Sequence, residues 1–278
     1  MILYYIDALI YQLELGINFT EISLGYGHGN SLRLFKHALN SSSISREDVI
    51  LTNSFYPRDL ESIDTLQSDV SAFYKVMETD YADSTLVTQS LIRRFGKDVV
   101  FPILHELLES GKTRYVSLSN SHPQGVKDFK TEFGDKFFAH EGHVSFEVRA
   151  LQDNRVLDLC AEQNVTNIIW RPLRRNKTAG LGWDLLKELS EKYNKTENQI
   201  VLNWMSHLRY YPMIMSAHRE HIKQNLDATE FTMDEAEYQR MTDFRPPGYT
   251  PPEVDWEDEK TIVSLITVIN DFENQFPS

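Results

Sequence analysis

Short apolar runs rich in β-branched and aromatic residues alternate with amphipathic stretches along nearly the whole chain, and this alternation constrains the fold more than any other feature. The runs fall at Ile17–Ser23, Val49–Phe55, Ala82–Thr88, Thr113–Asn120, His143–Val148, Val165–Pro172 and Tyr211–Ala217. Several, such as VTNIIW and YPMIM, are almost continuously apolar, which suits strands buried on both faces of a parallel sheet. Helical spacing fills the gaps at Tyr5–Leu15, Asn30–Leu39, Asp64–Met77, Val99–Ser110, Asn154–Gln163, Trp183–Tyr193, Glu197–His207, Glu220–Asn225 and Thr232–Met241. Gly111 follows the fourth as a stop. The Thr196 hydroxyl can accept an unpaired first-turn amide of Glu197–His207, and T-M-D-E opens Thr232–Met241 as a capping pattern.

Strand and helix alternating this regularly make right-handed βαβ units. Seven strands in 278 residues predict an α/β chain, a (β/α)8 TIM barrel rather than an open sheet. The chain opens inside a helix, so the expected barrel lacks its N-terminal hairpin and first strand, which would leave an edge to cover. A single domain is expected over residues 1–278, with the barrel in 1–244 and an extension in 245–278. The Pro-rich segment Arg245–Trp256 opens that extension and a last helix is expected at Lys260–Phe272.

Lys and Arg number 28 against 41 Asp and Glu, a net charge of −13, which argues against nucleic acid and anionic membrane surfaces as partners. No run reaches the roughly 18 apolar residues of a spanning helix. The N-terminus carries Asp7 and Glu14 and no basic region, so it does not read as a signal peptide. The lone cysteine, Cys160, falls on an apolar helix face and fits a reducing, cytoplasmic setting.

In a (β/α)8 barrel the chemistry sits at the C-terminal strand ends. That rule selects Glu21, Tyr26 and His28; Ser54 and Tyr56; Thr88 and Gln89; Ser119 and Asn120; Glu147 and Arg149; Trp170, Arg171, Arg174 and Arg175; and Ser216, His218 and Arg219. Four arginines after the last two strands of an acidic chain suggest a pocket for an anion, which the guanidinium fork recognises. The HEGH segment at His140–His143 lacks the HExxH zinc spacing and precedes its expected strand, so no metal site is expected. Glycines in GYGHGN are read as turn residues, and Asp80 and Asp83 as structural.

The ordered runs LGINFTEISLGYGHGNS, SREDVILTNSFYP, METDYADSTLVT, LLESGKTRYVSLSN, NIIWRPL, LSEKYNKTENQIVLNWM and HIKQNLDATEFTMDE resemble the aldo-keto reductase family over residues 15 to about 235. The resemblance implies a barrel that reduces aldehydes and ketones with NADPH. Tyr gives a proton to the carbonyl oxygen as hydride arrives, and Lys, Asp and His support it. It puts Tyr26 at the proton-donating tyrosine of DTAxxYG, Glu21 at the Asp, Ser54 at the Lys and Thr88 at the His. A phenol, ordinarily near about 10, needs a cation beside it to act near neutral pH; Ser54 carries none, and an ionised Glu21 opposes the phenolate. The same resemblance implies Ser119, Asn120 and Trp170 around a nicotinamide, Ser216 and Arg219 near phosphate, and Gln224 and Asn225 near adenine. Ser145 and Arg149 stand where the family has a Gln and an Asn, and Met215 and His221 where basic residues meet the 2′-phosphate.

Three readings follow. The first is an NADP-dependent oxidoreductase of a small carbonyl or hydroxyl compound, using Tyr26 and Glu21, with His28 as a helper. The second is a catalytically inactive binding or regulatory protein of the same fold. The third is a lyase or isomerase of an anionic small molecule, using Glu21, Tyr26 and Arg149.

Overall fold

The apolar runs become a parallel sheet in the computed structural model, which describes residues 2–55 and 62–250. The elements are α1 (Ile2–Glu14), β1 (Phe19–Ile22), α2 (Asn30–Ser41), β2 (Ile50–Phe55), α3 (Ile63–Met77), β3 (Ala82–Thr88), α4 (Gln89–Phe95), α5 (Lys97–Glu109) and β4 (Thr113–Ser119). There follow α6 (Pro123–Phe133), β5 (Phe137–His143), α7 (Ala150–Asp153), α8 (Val156–Glu162), β6 (Thr166–Trp170), α9 (Lys177–Gly180), α10 (Asp184–Tyr193), α11 (Glu197–His207), β7 (Tyr210–Met213), α12 (Arg219–Leu226) and α13 (Glu235–Asp243). The sheet has seven strands in the order β1 to β7. Helices lie between successive strands, as parallel pairing requires. The helix expected at Lys260–Phe272, with most of the Pro-rich segment, lies outside the described residues, as does Tyr56.

The chain packs as two compact units. The first holds residues 1–120, 129–139 and 216–219, and the second holds 121–128, 140–215 and 220–278. In the first unit β1–β4 pair in parallel, with Glu21 beside Thr52, Thr52 beside Ser84 and Thr88 beside Ser119. Leu32, Phe35, Leu51, Phe73 and Ala82 form its core between sheet and helices. At the N-terminal strand ends, Asp83 accepts from Arg46 and Arg114, each at 3.0 Å, and from the Leu51 amide at 3.0 Å. The two guanidiniums also flank the Tyr81 ring, 4.3 and 4.0 Å from its centroid. Asp83 is thus structural, as its position before the strand body suggests.

In the second unit β6 and β7 pair in parallel, Asn167 beside Tyr210 and Trp170 beside Met213. Fully buried Ile169, Leu186, Ile200 and Trp204 form part of its core. The Thr196 cap forms as expected: its hydroxyl accepts from the Gln199 amide at 3.2 Å, and the Gln199 side chain returns to the Thr196 amide at 3.0 Å. Helix α13 starts later than T-M-D-E suggests, at Glu235 after Asp234.

One strand is displaced. The expected His143–Val148 strand is a turn, and β5 is the preceding run, so HEGH is its C-terminal half. Gly142 allows this: a Cβ there would collide with the Leu151 side chain. The Ser145 hydroxyl then accepts from the amides of Glu147 at 3.3 Å and Val148 at 3.0 Å, which curls the chain out of the sheet.

Candidate active site

Glu21 sits near the C-terminal end of β1, and the chain then turns sharply into α2. Gly27, His28 and Gly29 have φ of 58°, 54° and 79°, a left-handed run that the glycines relieve of strain at two of its three positions. The turn returns Tyr26 over the strand end. Its hydroxyl donates to Glu21, 3.2 Å from Oε2 and 3.4 Å from Oε1. On β2 the fully buried Ser54 hydroxyl also donates to Glu21 Oε1 and lies 3.1 Å from the Ile22 carbonyl. Two hydroxyls, one from the turn after β1 and one from β2, therefore converge on one carboxylate. His28 is exposed.

Thr88 ends β3 and caps α4, a helix absent from the periodicity of the sequence. Its hydroxyl accepts from the Leu91 amide at 3.0 Å and lies 2.9 Å from the Ser90 hydroxyl. Ser119, 1 % exposed at the end of β4, has a buried Oγ with no hydrogen-bond partner, and Asn120 follows with φ 53°. Ser216 and its neighbours are tied to α1 in the same unit. Gln12 donates to the Ser216 carbonyl at 3.2 Å, Tyr4 Oη lies 2.8 Å from His218 Nδ1, and the Arg219 guanidinium sits 4.8 Å over the Tyr11 ring.

In the second unit the displacement of β5 puts His143 at a strand end, a position that the expected strand boundaries denied it. Its ring stacks on Trp170, centroids 4.5 Å apart and planes 17° apart, and Arg171 lies 5.4 Å from the Trp170 centroid. The Phe-Phe-Ala-His-Glu-Gly-His run, with glycine inside it, was the signal available for this residue. On α12, Gln224 gives its main-chain carbonyl to the Gln199 side chain at 3.0 Å, and Asn225 is half-buried beside it.

Two of the arginines expected at strand ends, Arg149 and Arg174, are corrected. Arg149 is fully buried: Nε donates to the Phe146 carbonyl at 2.9 Å, Nη1 to Gln152 at 2.8 Å and Nη2 to the Met241 carbonyl at 2.9 Å. Its guanidinium lies 4.1 Å over the Trp204 ring. Burial and the nearby Arg245 pull it down to about 9, still a cation at neutral pH. Arg174 is buried too, 3.7 Å from Glu147. Glu147 accepts in addition from Ser145 and Thr178, each at 3.0 Å, and from the Trp183 indole at 3.0 Å. These groups brace the interior, which removes Arg149 and Glu147 from the strand-end set and Arg149 from the lyase reading. Arg175 is exposed.

Both HEGH histidines are buried neutral. Burial lowers His140 to about 4, and burial with the Arg171 and Arg174 charges lowers His143 to about 3. Both values lie below the ordinary imidazole value of about 6.5. The unfolded chain therefore binds protons, below about pH 6.5, that the folded chain refuses, and stability falls as the pH drops through that value. Thermal melts from pH 7.5 to pH 5 should show it, and His143→Phe should flatten the slope by about one proton.

Comparison with known proteins places these features in context. The family described as "Aldo/keto reductase family" matches residues 4–245. Glyoxal reductase of Bacillus subtilis is 24% identical over 251 residues, covering 84% of this chain and 85% of its own. An NADPH-dependent alpha-keto amide reductase of Saccharomyces cerevisiae is 24% identical over 212 residues, covering 72% and 67%. The crystal structure of a thermostable aldo-keto reductase superposes with a TM-score of 0.76 at 21% identity, covering 85% of each chain, and shows the shared barrel fold.

Proposed function

Because the chain belongs to the aldo/keto reductase family, we propose that it is an NADP-dependent oxidoreductase that interconverts a small carbonyl compound and its alcohol, with Tyr26 as the proton-transferring group. The observation that carries this reading is the Tyr26 hydroxyl held on Glu21 at the end of β1, where barrel chemistry takes place. Relatives named as a glyoxal reductase and an NADPH-dependent alpha-keto amide reductase support the substrate class and the cofactor.

The residues present fit a nicotinamide nucleotide in one decisive respect. The buried Ser119 Oγ is a donor and acceptor left open at a strand end, and a buried polar group without a partner is costly unless a ligand completes it. In the first unit, Ser119 and Asn120 would hold the nicotinamide amide, and Ser216 and Arg219 would serve the phosphates. When bound, the nicotinamide supplies or takes a hydride. Tyr26 moves the proton at the substrate oxygen, and Glu21 orients Tyr26. Burial pushes the Cys160 thiol up to about 12, so it stays protonated and takes no part in the chemistry.

Titrating the protein with NADPH while following tryptophan fluorescence tests the reading. Saturable quenching is expected, and Ser119→Ala should weaken it about tenfold, the worth of one hydrogen bond. A titration that never saturates would overturn the assignment.

A further inference from the structure

We propose that Tyr11 is the positioning residue of Arg219, holding its guanidinium where it meets a phosphate of the nucleotide, so that α1 tunes how tightly the nucleotide is held. The inference rests on the reading that Ser216 and Arg219 serve the phosphates. Its grounds lie wholly in the first unit. Tyr4, Tyr11 and Gln12 recur at helical spacing and share one side of α1, while Ile6 and Leu13 on the other side are buried. The first side holds a loop distant in the chain. Gln12 donates to the Ser216 carbonyl at 3.2 Å, and Tyr4 Oη lies 2.8 Å from His218 Nδ1. The Ser216 hydroxyl accepts from the His218 amide at 3.2 Å and closes the turn. With the loop tied at two points, the next residue, Arg219, lays its guanidinium over the Tyr11 ring, 4.8 Å from its centroid.

Arg155, Arg240 and Arg245 of this acidic chain are each neutralised by a carboxylate. Arg219 is exposed and rests on a ring instead, with no salt bridge among the described residues. The difference matters to an anion. A carboxylate partner would cancel the charge and occupy the donors. A ring restrains the guanidinium through its flat face, leaves the charge whole and keeps the N–H donors along its edge for forked bonds to phosphate. An arginine that swings freely gives up its rotamer freedom when it grips an anion. One already laid on a ring gives up less, and the saving appears as tighter binding. The face of the ring does this, so the Tyr11 hydroxyl is dispensable.

The test is the NADPH dissociation constant, followed by tryptophan fluorescence, across a double-mutant cycle with a melting curve for each variant. Arg219→Gln should weaken binding about 30-fold, the loss of charge-assisted bonds to phosphate. Tyr11→Leu and Tyr11→Met, which keep apolar bulk without a ring, should each weaken it about fivefold. Tyr11→Phe should stay within about twofold of the native protein, because it keeps the ring. In the Arg219→Gln background the same Tyr11 changes should weaken binding no further, since Tyr11 acts through Arg219 alone. A merely structural role for Tyr11 predicts equal losses in both backgrounds. Such additive losses, a Tyr11→Phe variant as weak as Tyr11→Leu, or native affinity in both ringless variants overturn the positioning role and leave the oxidoreductase reading standing. Native affinity in Arg219→Gln also overturns it, by removing Arg219 from the phosphates. A native protein that never saturates with NADPH overturns the two together.

Discussion

Tyr26→Phe is expected to lower turnover by about 100- to 10,000-fold, the usual span for removing a positioned acid–base group. Phenylalanine keeps the ring and its packing, so the fold should be almost unaffected; only the hydroxyl on Glu21 is lost. NADPH binding, followed by fluorescence, should stay within about threefold, because the hydroxyl serves the reaction rather than the nucleotide. Steady-state rates and a melting curve on the same preparation check both halves. A variant that turns over at the native rate would remove Tyr26 from the mechanism.

Arg149→Met should cost about 3–5 kcal/mol of stability, the range for breaking a buried charged network from one side. Methionine approximates the length of the side chain but strands the Phe146 and Met241 carbonyls and the Gln152 side chain without their donors. It also removes the guanidinium that lies over Trp204. Arg149→Lys should rescue little, since a point-charge ammonium cannot serve three acceptors in a planar fork and stack as well. Urea unfolding measures the effect as a lowered midpoint. A loss under about 1 kcal/mol would show that the three bonds are replaced by water.

The structural elements differ in how far the sequence revealed them. Asp83 could be assigned early because it opens a strand, away from the reactive ends, and Thr196 because a capping box is local. Glu21 and Tyr26 were singled out by their place after an expected strand and by the family motif they resemble, and the structure brings them within hydrogen-bond distance. Arg149 was not. Its position just past an apolar run suggested a strand end, and only tertiary packing decides that this arginine turns inward. The misplaced β5 has the same origin. FFAHEGH and HVSFEV are adjoining apolar runs of similar propensity, and the choice between them rests on Gly142 meeting Leu151 and on the Ser145 turn. Thr88 shows a further limit: a residue that the resemblance places at a substrate-orienting position serves here as a helix cap, which no spacing rule displays.

The Arg46–Asp83–Arg114 clasp divides the work of the sheet between its two ends. It sets the alignment of neighbouring strands from the floor of the sheet, through one carboxylate that grips two cations and the amide of Leu51. Side chains at the rim are then released from the task of keeping strands in step. A change of side chain at Ser54 or Thr88 can then rearrange the hydrogen bonds of the rim while the strands keep their register below it.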